Sequence, residues 1–128
     1  MEPTSEERIL AGFCHLMIIF GWYGTAAAFV IWFVKHHKSE FITQSAKQAV
    51  VYQILVLGIM GGFNFLWMNL FQGISIPTIP LTTEMLGIVP VTIVLVLFLY
   101  GVAGATANFR GKMFKYALIG NLIEKYLK

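Results

Sequence analysis

The stretch ILAGFCHLMIIFGWYGTAAAFVIWFV, residues 9–34, holds no charged side chain and runs straight into Lys35-His36-His37-Lys38. As an α-helix its 26 residues would rise about 39 Å, enough to cross the ~30 Å hydrocarbon core of a bilayer with some tilt. Trp22, Tyr23 and Trp32 decorate it. The preceding segment, MEPTSEER, places Glu2, Glu6 and Glu7 ahead of Arg8, whereas a cleavable signal peptide has a positive start and a shorter apolar run. The stretch therefore reads as an uncleaved first span.

The rest of the chain fits the same class. Of 128 residues, 58% are hydrophobic, 15% aromatic and only 12% charged, and the mean hydropathy is +0.76. One small soluble core could not bury that much apolar surface. The composition excludes a soluble enzyme, a disordered segment and a coiled coil, and it describes one polytopic membrane domain, residues 1–128. The net charge is +3 and the pI near 9.1. The basic residues stand at the edges of apolar runs, where cations meet anionic headgroups, so the charge points to membrane lipids and not to nucleic acid. Cys14 is the single cysteine, which rules out an internal disulfide and any paired-cysteine metal site.

Residues 39–53, SEFITQSAKQAVVYQ, differ in kind. Phe41, Ile42, Ala46, Ala49 and Val50 recur at helical spacing, with Thr43, Gln44, Lys47 and Gln48 opposite, and Ser39 suits an N-cap. This pattern predicts a short interfacial helix over about 39–50 that leads into a second span over about 49–71. Pro77 and Pro80 make 72–83 a loop, and a third span is expected over about 84–107, kinked near Pro90. An amphipathic tail helix is expected over about 112–127, with Tyr116, Ile119, Leu122, Ile123 and Tyr126 on one face. The fold class is all-α: three transmembrane helices, an interfacial helix and a C-terminal amphipathic helix. Lys35, Lys38 and Lys47 in the first connection, and Arg110, Lys112 and Lys115 after the third span, contrast with a second connection that has no basic residue. The positive-inside rule then puts the C-terminus in the cytoplasm and the N-terminus outside.

Several residues are candidates for function. Spaced small residues, Gly24 with Ala28, Gly58 with Gly62 and Gly101 with Ala105, let helices approach closely; the approach is either within the bundle or towards a membrane-protein partner or second copy. Asn64, Asn69 and Gln72 give one half of the second span polarity, either as a polar path or as interhelical hydrogen-bonding groups. His15, deep in the first span, is either a cofactor ligand or a hydrogen-bonding group, and no second intraspan histidine would pair with it as an axial ligand. Lys35, Lys38, Lys47, Arg110, Lys112 and Lys115 suit lipid headgroups. No nucleophile–base–orienter set, phosphate loop or spaced metal-ligand set is present in the sequence, which predicts a protein that is not an enzyme and needs no metal or cofactor.

Two blocks carry a resemblance. IWFVKHHKSEFITQSAKQAVVYQI resembles the signature of the DUF4870 group, related to the plastid import component Tic20, through Trp32, Ser39, Phe41, Ala46, Lys47, Ala49 and Gln53. YGVAGATANFRGKMFKYALIG resembles that group's closing segment, and His15-Leu16 its opening. Departures fall at Ser45, Gln48, Val51-Tyr52 and Ala117, where the group carries His, Glu, Asn-Phe and Pro. The resemblance, to a bacterial and archaeal group, implies a small multi-pass fold in a prokaryotic inner membrane, with relatives that include proteins shaping magnetosome crystals. Two functions are expected from the residues and the resemblance together. One is an accessory or scaffold subunit acting through helix packing; the other is an oligomeric, Tic20-like channel or translocation component.

Overall fold

A computed structural model describes residues 2–71, 83–117 and 119–126, and every regular element among them is helical. The chain runs α1 (Ser5–Leu16), a 3-10 turn (Met17–Phe20), α2 (Gly21–Lys35), α3 (Glu40–Phe71), α4 (Thr83–Phe109) and α5 (Gly120–Tyr126). Three segments, Ser5–Lys35, Glu40–Leu66 and Val91–Phe109, are long and apolar enough to cross a membrane by length and composition. The loop expected over 72–83 lies almost wholly outside the described residues, and α4 continues through position 90.

The first apolar run is not straight. Thr4 opens α1 with a capping box: the Glu7 N–H donates to its hydroxyl at 3.3 Å, and its own N–H donates to the Glu7 carboxylate at 2.7 Å. The helix tightens over Met17–Phe20 and reverses at Gly21, whose φ of 56° is cheap only for glycine. Gly24 then packs directly on the Met17 carbonyl. The return is complete by Lys35, whose Nζ donates to Glu6 Oε1 at 2.8 Å. Those residues are 29 apart in the chain and would be separated by about 44 Å along one straight helix. The run is a helical hairpin. The expectation of opposite sides for the N-terminus and the tail assumed a straight traverse. In the fold, Glu6, Lys35 and the C-terminal end of α4 share one end of the bundle, with the Arg8 guanidinium against Gly111.

The separate interfacial helix is also corrected. Ser39 caps as its sequence suggests, accepting from the Ile42 N–H at 3.3 Å, but α3 then continues unbroken for 32 residues. Its early turns have no wet side, because protein covers both of their faces. Ala46, Ala49 and Val50 pack with Cys14 and Ala28 in one core cluster, and Ser45, Gln48 and Gln53 are buried too. The expected tail helix over 112–127 shrinks to α5. Gly111, at φ 74°, stops α4 with a paired closure, the Gly111 N–H to Asn108 O at 2.9 Å and the Lys112 N–H to Ala107 O at 3.0 Å. The chain is then irregular to Tyr116, and Tyr116, Ile119 and Ile123 dock on Tyr52 and Val56.

Hairpin helix α1 lies against α3 and antiparallel to α4, with Gly12 under the Phe109 ring and Ile18 beside Gly101, while α2 covers α3. The outside is apolar: Phe29, Val30 and Phe33 on α2, Ile54, Phe65 and Leu66 on α3, and Val91, Val96 and Leu99 on α4 are all exposed. Such a surface is at home in lipid, which is what a membrane-embedded bundle contacts.

Candidate functional site

Among the described residues, the buried polar side chains gather in the half of the bundle that holds the hairpin. His15, only 1% exposed, is brought by α1 against the tail, with its Nδ1 2.8 Å from the Tyr116 hydroxyl. Gly104 of α4 makes room for the pair: a Cβ there would lie 3.1 Å from His15 Nδ1 and 3.2 Å from the Tyr116 hydroxyl oxygen. The Tyr116 N–H donates to Gln48 Oε1 on α3 at 3.1 Å, and the Ala117 N–H donates to the Tyr100 hydroxyl on α4 at 3.1 Å. The Tyr116 ring stacks on Tyr52, centroids 4.0 Å apart, and Tyr52 itself donates to Leu97 O at 2.6 Å. One tail segment is thereby tied to three helices.

A second set of bonds braces α3 against α4 and α1, with one link inside α4. Ser45 Oγ donates to Asn108 Oδ1 at 2.7 Å, Asn108 Nδ2 donates to Gly104 O at 2.8 Å, and Gln53 Nε2 donates to Cys14 O at 2.7 Å. In an apolar surrounding each such group needs its partner, because an unmade bond costs about 1–3 kcal/mol. His15 Nε2 and Gln53 Oε1 are the buried side-chain atoms that find none among the described residues. Burial, reinforced by Tyr52 and Tyr100, raises the Tyr116 phenol above the usual tyrosine range, so it stays neutral and can share its proton with the imidazole.

The sites expected from sequence divide. Ala28, Gly101 and Ala105 are buried where helices meet. Gly24 is buried against its own turn, and among the described residues Gly58 and Gly62, with Gly61, have nothing within 4 Å of a Cβ position. Asn64 borders a cleft of about 120 Å³ whose other walls, Ile59, Met60, Phe63, Ile93 and Val94, are apolar, and Asn69 donates back to Phe65 O of its own helix at 2.7 Å. The described residues therefore do not join these asparagines into a polar path, and Gln72 lies outside them. Lys38, Arg110, Lys112 and Lys115 are exposed and Lys35 pairs with Glu6. Lys47, only 8% exposed, lies with its Nζ 5.9 Å from the Trp32 ring centroid. Among the described residues, no three His, Cys, Asp or Glu side chains converge as a metal site.

Sequence reasoning passed over Ser45, Gln48, Gln53, Asn108 and Tyr116 as interior groups. Gln48 reads as the polar side of an interfacial helix, Ser45 and Gln53 are given no face there, Asn108 stands just past the expected third span, and Tyr116 falls on the apolar face of the expected tail helix. A signal was present in the spacing of Ser45, Gln48, Tyr52 and Gln53, which puts polar groups one helical turn apart in an apolar setting.

No curated protein and no solved structure matches the chain. A family model described as "Magnetosome magnetite crystal formation protein family" matches residues 6–123. This match overturns the assignment to the DUF4870 and Tic20-like group, and the Tic20-like channel expected from that assignment loses its support. With almost its whole length matched, the chain belongs to the MamF/MmsF family of small magnetosome membrane proteins involved in magnetite crystal formation.

Proposed function

We propose that the protein is a non-enzymatic accessory or scaffold subunit of the membrane in which magnetite crystals form, and that it acts by holding a membrane-protein partner or a second copy against its outer helix faces. The observation that carries this reading is the contrast between inside and outside. Interior polar groups are engaged in bonds between α1, α3, α4 and the tail, which leaves little side-chain chemistry for turnover. Outside, Gly58, Gly61 and Gly62 form a small-residue surface that none of the described residues covers, among exposed apolar side chains. Such surfaces let helices approach closely in lipid, where burial alone gives no drive. Lys38, Arg110, Lys112 and Lys115 meet anionic headgroups in this reading, with their end of the bundle cytoplasmic.

The test is native mass spectrometry of the protein extracted in mild detergent from its own membrane, beside the variant carrying Gly58→Leu and Gly62→Leu. A stoichiometric complex that dissociates in the variant, together with altered crystals in cells carrying it at normal protein levels, is expected. A monomer with no bound subunit, or catalytic turnover by the purified chain, would overturn the reading.

A further inference from the structure

The hairpin has a consequence for the lipid around it. Helices α1 and α2 contain 12 and 15 residues, about 18 and 22 Å, each short of the ~30 Å core that a crossing requires. The hairpin tip lies alongside the middle of the long helices: Ile18, Ile19 and Gly21 share a cavity with Val56, Met60, Val94 and Phe98. Two rulers fix its depth. Lys47 and its Trp32 contact mark the basic end of the bundle on α3, and Val56–Met60 stand about 14–20 Å further along that helix. On α4, Phe98 and Val94 stand about 15–21 Å from Asn108, beyond which Arg110 and Lys112 begin. Both rulers put the tip near the bilayer midplane.

The cross-section therefore changes with depth. On the basic side of the midplane the bundle comprises α1, α2, the first part of α3, the last part of α4, and the docked residues Tyr116, Ile119 and Ile123. On the other side, among the described residues, only α3 and α4 continue. At a helix diameter of about 10 Å, four helices and a tail segment in one leaflet against two in the other make a wedge. A wedge that widens one leaflet is accommodated best where that leaflet is the convex one.

We propose that α1–α2 is a re-entrant hairpin that enters and leaves the membrane from the basic side, and that it makes the protein a sensor of membrane curvature, whose partner is a tightly curved lipid surface convex towards its termini. This function goes beyond the scaffold reading and does not depend on any protein partner.

The test uses the full chain with Cys14→Ala and one added cysteine at an exposed position, Glu2→Cys, Lys38→Cys or Lys112→Cys. Each variant is reconstituted into phosphatidylcholine–phosphatidylglycerol liposomes and labelled with a membrane-impermeant maleimide before and after lysis. In every preparation the three positions are expected to share one side. Between liposomes of about 400 nm and about 30 nm the outward-facing fraction is expected to rise from about half towards nearly all, roughly twofold, as for other curvature-sensitive inserts. Labelling of Glu2→Cys from the side opposite to Lys112→Cys would overturn the hairpin and the wedge together. Shared sidedness with an outward fraction independent of liposome size would overturn curvature sensing. Neither result bears on whether a partner subunit binds the Gly58 face, so failure here is distinguishable from failure of the scaffold reading.

Discussion

Gly24→Ala and Gly58→Ala are the same chemical change in two apolar helices, yet they should move stability in opposite directions. A Cβ at Gly24 would strike the Met17 carbonyl oxygen and lie 2.6 Å from the carbonyl carbon and 3.2 Å from the Met17 Cα. Carbon atoms rest at about 3.5–4.0 Å, so the 3-10 turn must shift by about 1 Å. The obstacle is backbone, which cannot swing aside as a side chain can. Overpacking costs about 1–3 kcal/mol, and this contact belongs at the upper end, about 3 kcal/mol. Replacing a helical glycine by alanine returns about 1 kcal/mol, which leaves a net loss of about 2 kcal/mol. At Gly58 none of the described residues lies within 4 Å, so the propensity gain stands alone and Gly58→Ala should stabilise the isolated protein by up to about 1 kcal/mol. Unfolding of the purified variants by SDS titration in mild detergent, followed by circular dichroism, reads the difference. If Gly24→Ala unfolds with or after the unsubstituted protein, the hairpin turn is not built as described.

Tyr116→Phe should strip the partner from buried His15 Nδ1 and lower stability by about 1–3 kcal/mol, measured by the same titration, with the tail cut sooner in limited proteolysis. Gln48→Leu should act on the same tail by stranding the Tyr116 N–H, and its effect should fall short of additive with Tyr116→Phe in a double-mutant cycle. Lys35→Ala should change stability by only about 0.2–1 kcal/mol, because its Glu6 partner is largely solvated, and salt should erase the difference. The Tyr116 phenol is raised in the folded chain, so docking is fully supported below the unfolded tyrosine value of about 10 and weakens as pH climbs above it; proteolysis of the tail should accelerate there and not at neutral pH.

Hydropathy told the class correctly because it adds up along the chain without regard to direction. For the same reason it cannot distinguish one 26-residue traverse from two shorter helices folded together, since both bury the same side chains in the same solvent. Direction is set at Phe20-Gly21, where φ becomes positive, and at Gly24, where backbone meets backbone; these glycines sit in a sequence rich in glycine throughout. The Glu6–Lys35 pair could have been noticed, because opposite charges flanked the run, but the same charges also suit the two ends of a single span.

Amphipathicity misled for a related reason. Residues 39–50 have a polar and an apolar face, and a helix with two unlike faces is normally assigned one wet side. Here Gln48 meets the Tyr116 amide and Ser45 meets Asn108, groups 68 and 63 positions away, and a partner so distant in sequence leaves no local trace. The small-residue motifs divide on the same principle. Gly101 is closed by Ile18 of the 3-10 turn and Tyr52 of α3, and Ala105 is buried, whereas Gly58 and Gly62 face outward among the described residues. Spacing alone reports that a close approach is possible there. What approaches is decided by helices supplied from within the chain in one case and, on the reading proposed here, from outside it in the other.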